Sequence, residues 1–297
     1  MKHPHNLLIA FLLGLFASFF FVGMGLCVKK IGTQLPTPMI LFFRFLFGFL
    51  FISLWRYKLN QDLKLNIKLP LKYFTRPMLS MCAIFFFFYS VKFIPLTAAL
   101  VLVNTGPLFI PLIIRVLAGE KTKLNLIFFT LIGFLGVIFI LHPSNIYFII
   151  ENEFIPVLSG IFSGFLNALI MLQNHKIAKN SQISEILFYF FLICALASLV
   201  ISAWQWESPS NLEIWKLILG VGSFGLLYQI CSILSHSCAP IRLTSPLAFL
   251  SVLNGYILDI WFSRIFPDIF ALIGLVLIII GVSSCIYLGK KEIISGK

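Results

Sequence analysis

The sequence predicts an all-α membrane protein of ten transmembrane helices, arranged as two inverted five-helix repeats. Three observations carry that expectation. Of the 297 residues 60% are hydrophobic and 11% charged, with a mean hydropathy of +1.04, which excludes a soluble globular domain. The apolar residues fall in runs of about 20, the length that at 1.5 Å rise per residue crosses a hydrocarbon core of roughly 30 Å. Short motifs of the first half also return in the second half at a nearly constant offset.

Taken in order, the runs place spans at 7–28, 36–55, 77–93, 95–116, 124–141, 154–173, 185–204, 214–235, 239–262 and 268–288. The first run, Leu7–Val28, is longer than a signal-peptide core and reads as a retained helix. Short polar or proline-bearing links separate the spans, apart from a longer basic link from Arg56 to Arg76. The net charge of +12 lies between apolar runs and not in a polar patch, so it points to membrane orientation and away from nucleic acid. With the amino terminus placed in the cytoplasm, sixteen lysines and arginines fall on that side and five on the other. Arg44 lies within a span. The asymmetry puts both termini of a multi-pass chain on the cytoplasmic face of the cell membrane.

LGLFAS (Leu13–Ser18) aligns with SGIFSG (Ser159–Gly164), and IGTQLPTPMILFFRF (Ile31–Phe45) with IAKNSQISEILFYFF (Ile177–Phe191). One residue out of that register, Pro95 meets Pro240 and Gly136-Val137 meets Gly281-Val282. The repeats are therefore residues 1–145 and 146–297, with five spans each. An odd number inverts the second repeat in the membrane, the architecture of alternating-access carriers with a midplane site. Gly160-x-x-x-Gly164 reads as a close packing face rather than a dimerisation motif.

The fourth span, PLTAALVLVNTGPLFIPLIIRVLAGE from Pro95, stands out. Pro107 leaves the carbonyl of Val103 without its helical donor, and Pro111 does the same to Pro107. Such carbonyls are tolerated at membrane depth only beside protein groups or a watery cavity. Helical spacing lines Thr97, Asn104, Pro111 and Arg115 along one face. The span reads as lining a solute pathway; a kinked packing helix is the alternative.

Polar residues recur in other spans. Ser163 and Asn167, and Tyr228 and Ser232, are i,i+4 pairs, while Ser251 and Asn254 are an i,i+3 pair, so each pair shares a face. Each taken singly could be interhelical glue; converging on one cavity they would form a binding site. Most of the run Phe85–Phe88 must face lipid or core, and Tyr89 is the aromatic there with a hydroxyl to place in a pocket. Arg44 needs an ion pair, a carbonyl clamp or direct solute contact. Asp259 is either an interfacial partner of Lys29, Lys30 or Arg264, or a coupling carboxylate. The six cysteines, with no CxxC, read as small core residues. HExxH, GxSxG and P-loop motifs are missing, which argues against an enzyme and against a bound cofactor.

With FFRF around Arg44, the segment from Pro95 to AGEK at Lys121, GFLGVIFILHP (Gly133–Pro143), APIRLTSPLAFL (Ala239–Leu250) and FPDIFALIGLVLIIIGV (Phe266–Val282), the chain resembles the drug/metabolite transporter superfamily, in its branch of two EamA-type halves. The first half keeps that family's Gly-Glu at Gly119-Glu120; the second has Arg264-Ile265 there. The resemblance implies a cavity built by the first, third, fourth, sixth, eighth and ninth spans. It implicates Ser18, Tyr89, Asn104, Thr105, Asn167, Tyr228, Gln229 and Asn254 as solute-binding residues. From Ile183 to Asp268, and in GTQL–FFRF, the chain is most similar to bacterial S-adenosylmethionine carriers. The implied partners are a small-molecule solute and the lipid bilayer, with or without a coupling ion or exchanged solute, and with the carrier monomeric or homodimeric. Export of amino acids or drugs, a non-transporting scaffold and a membrane enzyme are the alternatives.

Overall fold

In lipid a chain satisfies its backbone donors and acceptors by coiling each apolar run onto itself. The computed structural model describes residues 7–58, 72–118, 124–141, 153–178, 183–209, 211–239, 244–263 and 269–294, and among them every regular element is helical. In order these are α1 (Leu7–Ile31), α2 (Thr37–Lys58), α3 (Lys72–Phe93), α4 (Leu96–Val103), α5 (Gly106–Ala118) and α6 (Leu124–Leu141). Then follow α7 (Phe154–Ala178), α8 (Ile183–Ser202), α9 (Leu212–Cys238), α10 (Leu250–Ser263) and α11 (Ile269–Ile294). A 3-10 turn, Ser245–Phe249, leads into α10.

Among the described residues six helices are long and apolar enough to cross a membrane: α1, α2, α3, α7, α8 and α9. Four shorter apolar stretches, Leu96–Ile110, Ile127–Gly136, Pro246–Leu258 and Leu272–Ser284, fall where the other predicted spans lie. The outward faces are apolar: Leu8, Phe16, Leu54, Phe128, Leu158, Val200 and Ile279 are all exposed, as a lipid-facing surface requires. The chain is thus an all-α, membrane-embedded, multi-pass protein.

Long-range packing pairs α1 with α9, α3 with α7, α2 with α8, and α6 with α11, with a smaller contact between α4 and α10. The α6–α11 pair comes together through glycines. A Cβ on Gly136 would stand 2.6 Å from the carbonyl oxygen of Gly274, and one on Gly281 would stand 2.7 Å from the backbone nitrogen of Gly133. Backbones can approach that closely only where side chains are missing. The main core runs between α1, α2, α3, α8 and α9.

The fourth span departs from a single kinked helix. It is two helices, α4 and α5, joined at Asn104-Thr105, with Asn104 at φ −80° and ψ 5°. Proline at 107 cannot donate to Val103, so α4 closes with the bonds from the Asn104 nitrogen to the Leu100 oxygen (3.1 Å) and from the Thr105 nitrogen to the Leu102 oxygen (3.2 Å). The carbonyls of Leu102 and Val103 lie against Gly164 of α7, where a Cβ would stand 2.9 Å from the Val103 oxygen and 2.5 Å from Thr105 Oγ1. Gly160 meets Leu102 and Ser90 in the same way, so this GxxxG serves packing within the chain. A second correction concerns the basic link. Arg56 and Arg76 belong to α2 and α3, and both are buried.

Candidate functional site

The break in the fourth span sits beside a cavity of about 70 Å³. Its walls come from Gly14, Ser18 and Phe21 of α1, Asn104 at the break, Pro107 of α5 and Asn167 of α7. The opposite wall is Tyr228, Ser232 and His236 of α9, with Thr244, Leu247 and Ser251 ahead of and within α10. A smaller, deeper cavity shares Phe21, Asn167, Tyr228 and Ser232 and adds Ser80 and Phe87 of α3 with Gln229 of α9. Together they draw on α1, α3, α4–α5, α7, α9 and α10, the first, third, fourth, sixth, eighth and ninth of the predicted spans.

Neutral hydrogen bonds tie the cavity walls. Asn104 donates from Nδ2 to the Leu100 carbonyl (2.6 Å) and to Ser251 Oγ (2.7 Å), which itself donates to the Ala248 carbonyl (2.8 Å). Asn254, one turn on, donates from Nδ2 to Ser18 Oγ at 2.7 Å, and Ser18 donates its own hydroxyl hydrogen bond to the Leu15 carbonyl. The i,i+3 pair on α10 therefore grips α4 through one residue and α1 through the other. Near the start of α1, Ser235 donates to the Ala10 carbonyl (2.8 Å), and His236 Nδ1 lies 2.9 Å from Thr244 Oγ1. Each such bond contributes on the order of 0.6 kcal/mol, at most about 2 kcal/mol, so the walls are held without being locked.

The floor is aromatic. Phe21 stacks on Phe87 at 4.6 Å between centroids and lies 5.0 Å from Tyr228. Such faces attract a cation and accept a flat ring.

Of the residues implicated from sequence, Ser18, Asn104, Asn167 and Tyr228 line the larger cavity, and Gln229 lines the smaller. Asn254 reaches the site through Ser18. Thr105 turns its hydroxyl to the Leu102 carbonyl and faces Gly164, in the joint and not in the cavity wall. Tyr89 stands apart, in a separate cleft with Thr33, Lys92, Trp204 and Glu207. There Lys29 donates to the carbonyl of Ile94 (2.8 Å) and Lys92 to that of Leu35, so the end of α3 is tied to the α1–α2 turn. The side chains of Asp259 and Arg115, and residues Glu120 and Arg264, lie outside the described residues. Sequence reading missed Phe21, His236 and Thr244. The signal for two of them was helical spacing: Phe21 is three residues after Ser18, and His236 extends the Tyr228–Ser232 stripe by one turn.

A different seam, between α2, α3 and α8, holds the buried cations. Arg44 is 0% exposed, Arg76 2% and Arg56 9%. Each guanidinium lies near an aromatic ring: Arg44 is 5.0 Å from the Phe45 centroid, Arg76 5.0 Å from Phe190 and Arg56 5.2 Å from Phe188. A cation–π contact gives about 0.5–2 kcal/mol, against several for burying an ion. The rings alone do not balance Arg44. Neither the ion pair nor the carbonyl clamp expected from sequence forms at Arg44 among the described residues.

Residues 8–142 match the EamA-like transporter family. A crystal structure aligns with the chain at a TM-score of 0.74, covering 95% of this chain and 98% of that one at 19% identity, a likeness of fold. The matched residues run from α1 to α6, and the whole chain shares its fold with that solved structure. It is 26% identical to the pseudopaline exporter CntI of Pseudomonas aeruginosa over 284 residues, covering 95% of this chain and 96% of that protein. It is 25% identical to the S-adenosylmethionine uptake transporter of Rickettsia felis over 264 residues, covering 89% and 87%. Over 172 residues it is 23% identical to a riboflavin transporter of Vibrio cholerae, 57% of this chain and 56% of that one.

Proposed function

We propose that the chain is a secondary carrier that moves a small organic metabolite by alternating access, with S-adenosylmethionine as its leading solute. One observation carries this reading: a polar cavity with an aromatic floor is shared between residues of both halves, and among the described residues the neutral hydrogen bonds Asn104–Ser251 and Ser18–Asn254 join the halves beside it. Bonds of that strength can exchange for solute and reform.

The helix pairings support an inverted repeat and with it this mechanism. Exchanging the halves turns the α1–α9 pair into the α7–α3 pair and leaves α2–α8, α4–α10 and α6–α11 unchanged, and all of these pairs are present. The joint at Asn104-Thr105 has its counterpart where the turn Ser245–Phe249 becomes α10. Rocking one half against the other would expose the site to each side in turn. With the amino terminus cytoplasmic, the end of the cavity lined by Gly14 and His236 lies toward the cytoplasm, and Lys29 and Lys92 tie the outer ends of α1, α2 and α3 together. A cysteine at Ser208 should react with an impermeant reagent outside the cell and one at Gln61 should not; the reverse overturns the orientation.

S-Adenosylmethionine is a zwitterion with an extra sulfonium charge and a flat adenine, which suits Phe21, Phe87 and Tyr228. The likeness to the Rickettsia felis carrier supports uptake. The likeness to the pseudopaline exporter supports a second reading, export of an amino-acid-like metabolite. Counterflow in proteoliposomes tests both. Internal unlabelled S-adenosylmethionine should accelerate uptake of the labelled compound, and S-adenosylhomocysteine should compete. Strong competition by an amino acid, with none from either adenosyl compound, would keep the carrier and discard the solute.

A further inference from the structure

The seam of α2, α3 and α8 holds a donor that the fold leaves without an acceptor. Arg44 is fully buried, and among the described residues none accepts a hydrogen bond from its Nε, Nη1 or Nη2. The rings of Phe45 and Phe88, 5.0 and 5.9 Å from its Cζ, attract the charge but cannot satisfy the N–H groups. On the α9 side Gly225 makes room for it: a Cβ there would stand 2.5 Å from Arg44 Nε. One turn along α9 from Gly225, Tyr228 lines both cavities. Ser80, whose buried hydroxyl also lacks a partner, lines the smaller cavity. Tyr228 thus belongs both to the cavity wall and to the surroundings of a forked, acceptor-free cation.

We propose that Arg44 is a carboxylate receptor: it takes the carboxylate of an amino-acid-type solute lodged in the smaller cavity, with the Tyr228 hydroxyl as a second donor. This rests on the carrier reading above and assigns which end of the solute goes deepest. A guanidinium and a carboxylate meet as two planar forks with paired bonds, the geometry that answers an orphaned arginine. The sulfonium or amine of such a solute then falls back toward Phe21 and Phe87, on the aromatic floor of the cavity.

The test uses the purified full chain in detergent, with sodium acetate, sodium chloride and acetamide as probes at equal ionic strength. Acetate should raise the melting temperature by roughly 2–4 °C over chloride and acetamide. Arg44→Gln should abolish that difference. Gly225→Ala, which keeps Arg44 but crowds its Nε, should diminish it, and this second variant decides the matter if Arg44→Gln does not fold. Equal stabilisation by chloride, or an acetate effect that survives both variants, overturns the site. In proteoliposomes the carboxyl methyl ester of S-adenosylmethionine should compete at least ~10-fold more weakly than the parent with the wild type and equally with Arg44→Gln. An Arg44-dependent acetate effect without binding of either adenosyl compound sinks the solute assignment and upholds this one. Equal competition by ester and acid with the wild type does the reverse.

Discussion

Two seams of this bundle handle polar groups in opposite ways. Between α1, α4, α9 and α10 the polar groups are neutral and largely answer one another: Asn104 with Ser251, Asn254 with Ser18, His236 with Thr244. Between α2, α3 and α8 they are full charges resting on rings, Arg44 by Phe45, Arg76 by Phe190 and Arg56 by Phe188. Neutral pairs cost little to break and remake, so they suit a surface that must open. A buried cation costs far more to expose to lipid or to leave unanswered, so it fixes the helices around it and waits for an anion. Function on this reading needs both, and they meet at Tyr228.

The contrast can be broken at several points. The largest effect is expected at the joint on which the neutral seam depends. Gly164→Val sets a branched side chain against Thr105 Oγ1 and the Val103 carbonyl, and should cost about 3 kcal/mol or prevent folding, read as loss of monodisperse protein and a lowered melting temperature. Normal melting would mean that α4 and α5 are not clamped there. Asn104→Leu comes next. It should lower stability by only about 1–2 kcal/mol yet cut transport at least ~10-fold, because it removes a cavity donor along with one interhelical bond. Collapsed melting with normal transport by the surviving protein would make Asn104 packing glue.

Phe21→Leu sharpens the comparison from the aromatic floor. It keeps bulk but loses the ring, and should weaken a cationic solute by about 0.5–2 kcal/mol, roughly 2- to 30-fold in affinity, with a neutral competitor much less affected. The smallest change is expected from Arg56→Met. A buried ionic group replaced by an apolar one of similar volume is often neutral, so its melting should stay within about 1 kcal/mol of the wild type. A large loss would show that Arg56 anchors the seam.

Much of this molecule is written in residue order. Membrane embedding, helical class and span positions follow from apolar run lengths, since lipid leaves a backbone few other ways to satisfy its own donors and acceptors. The weak point of the fourth span was legible too, because Pro107 removes a specific donor wherever the helix sits. Shared faces such as Ser251 and Asn254 needed only the helical period. What residue order could not decide is which faces meet. That α10 hands Ser251 to Asn104 and Asn254 to Ser18, residues 147 and 236 positions away, depends on how whole helices pack. The cavity's aromatic floor is decided the same way, because Phe21, Phe87 and Tyr228 lie on three different helices and only packing selects them from 34 phenylalanines and eight tyrosines. Tyr89 is the converse case, a suitable side chain only two residues after Phe87 that lines a separate cleft. Arg56 and Arg76 read as loop charges because charge alone suggests water. Phe188 and Phe190, more than a hundred residues downstream, supply the faces that let them stay inside. Periodicity and apolarity are properties of a segment. Partnership is a property of the packed whole, and here it separates the polar groups that answer one another from Arg44, which the described residues leave unanswered.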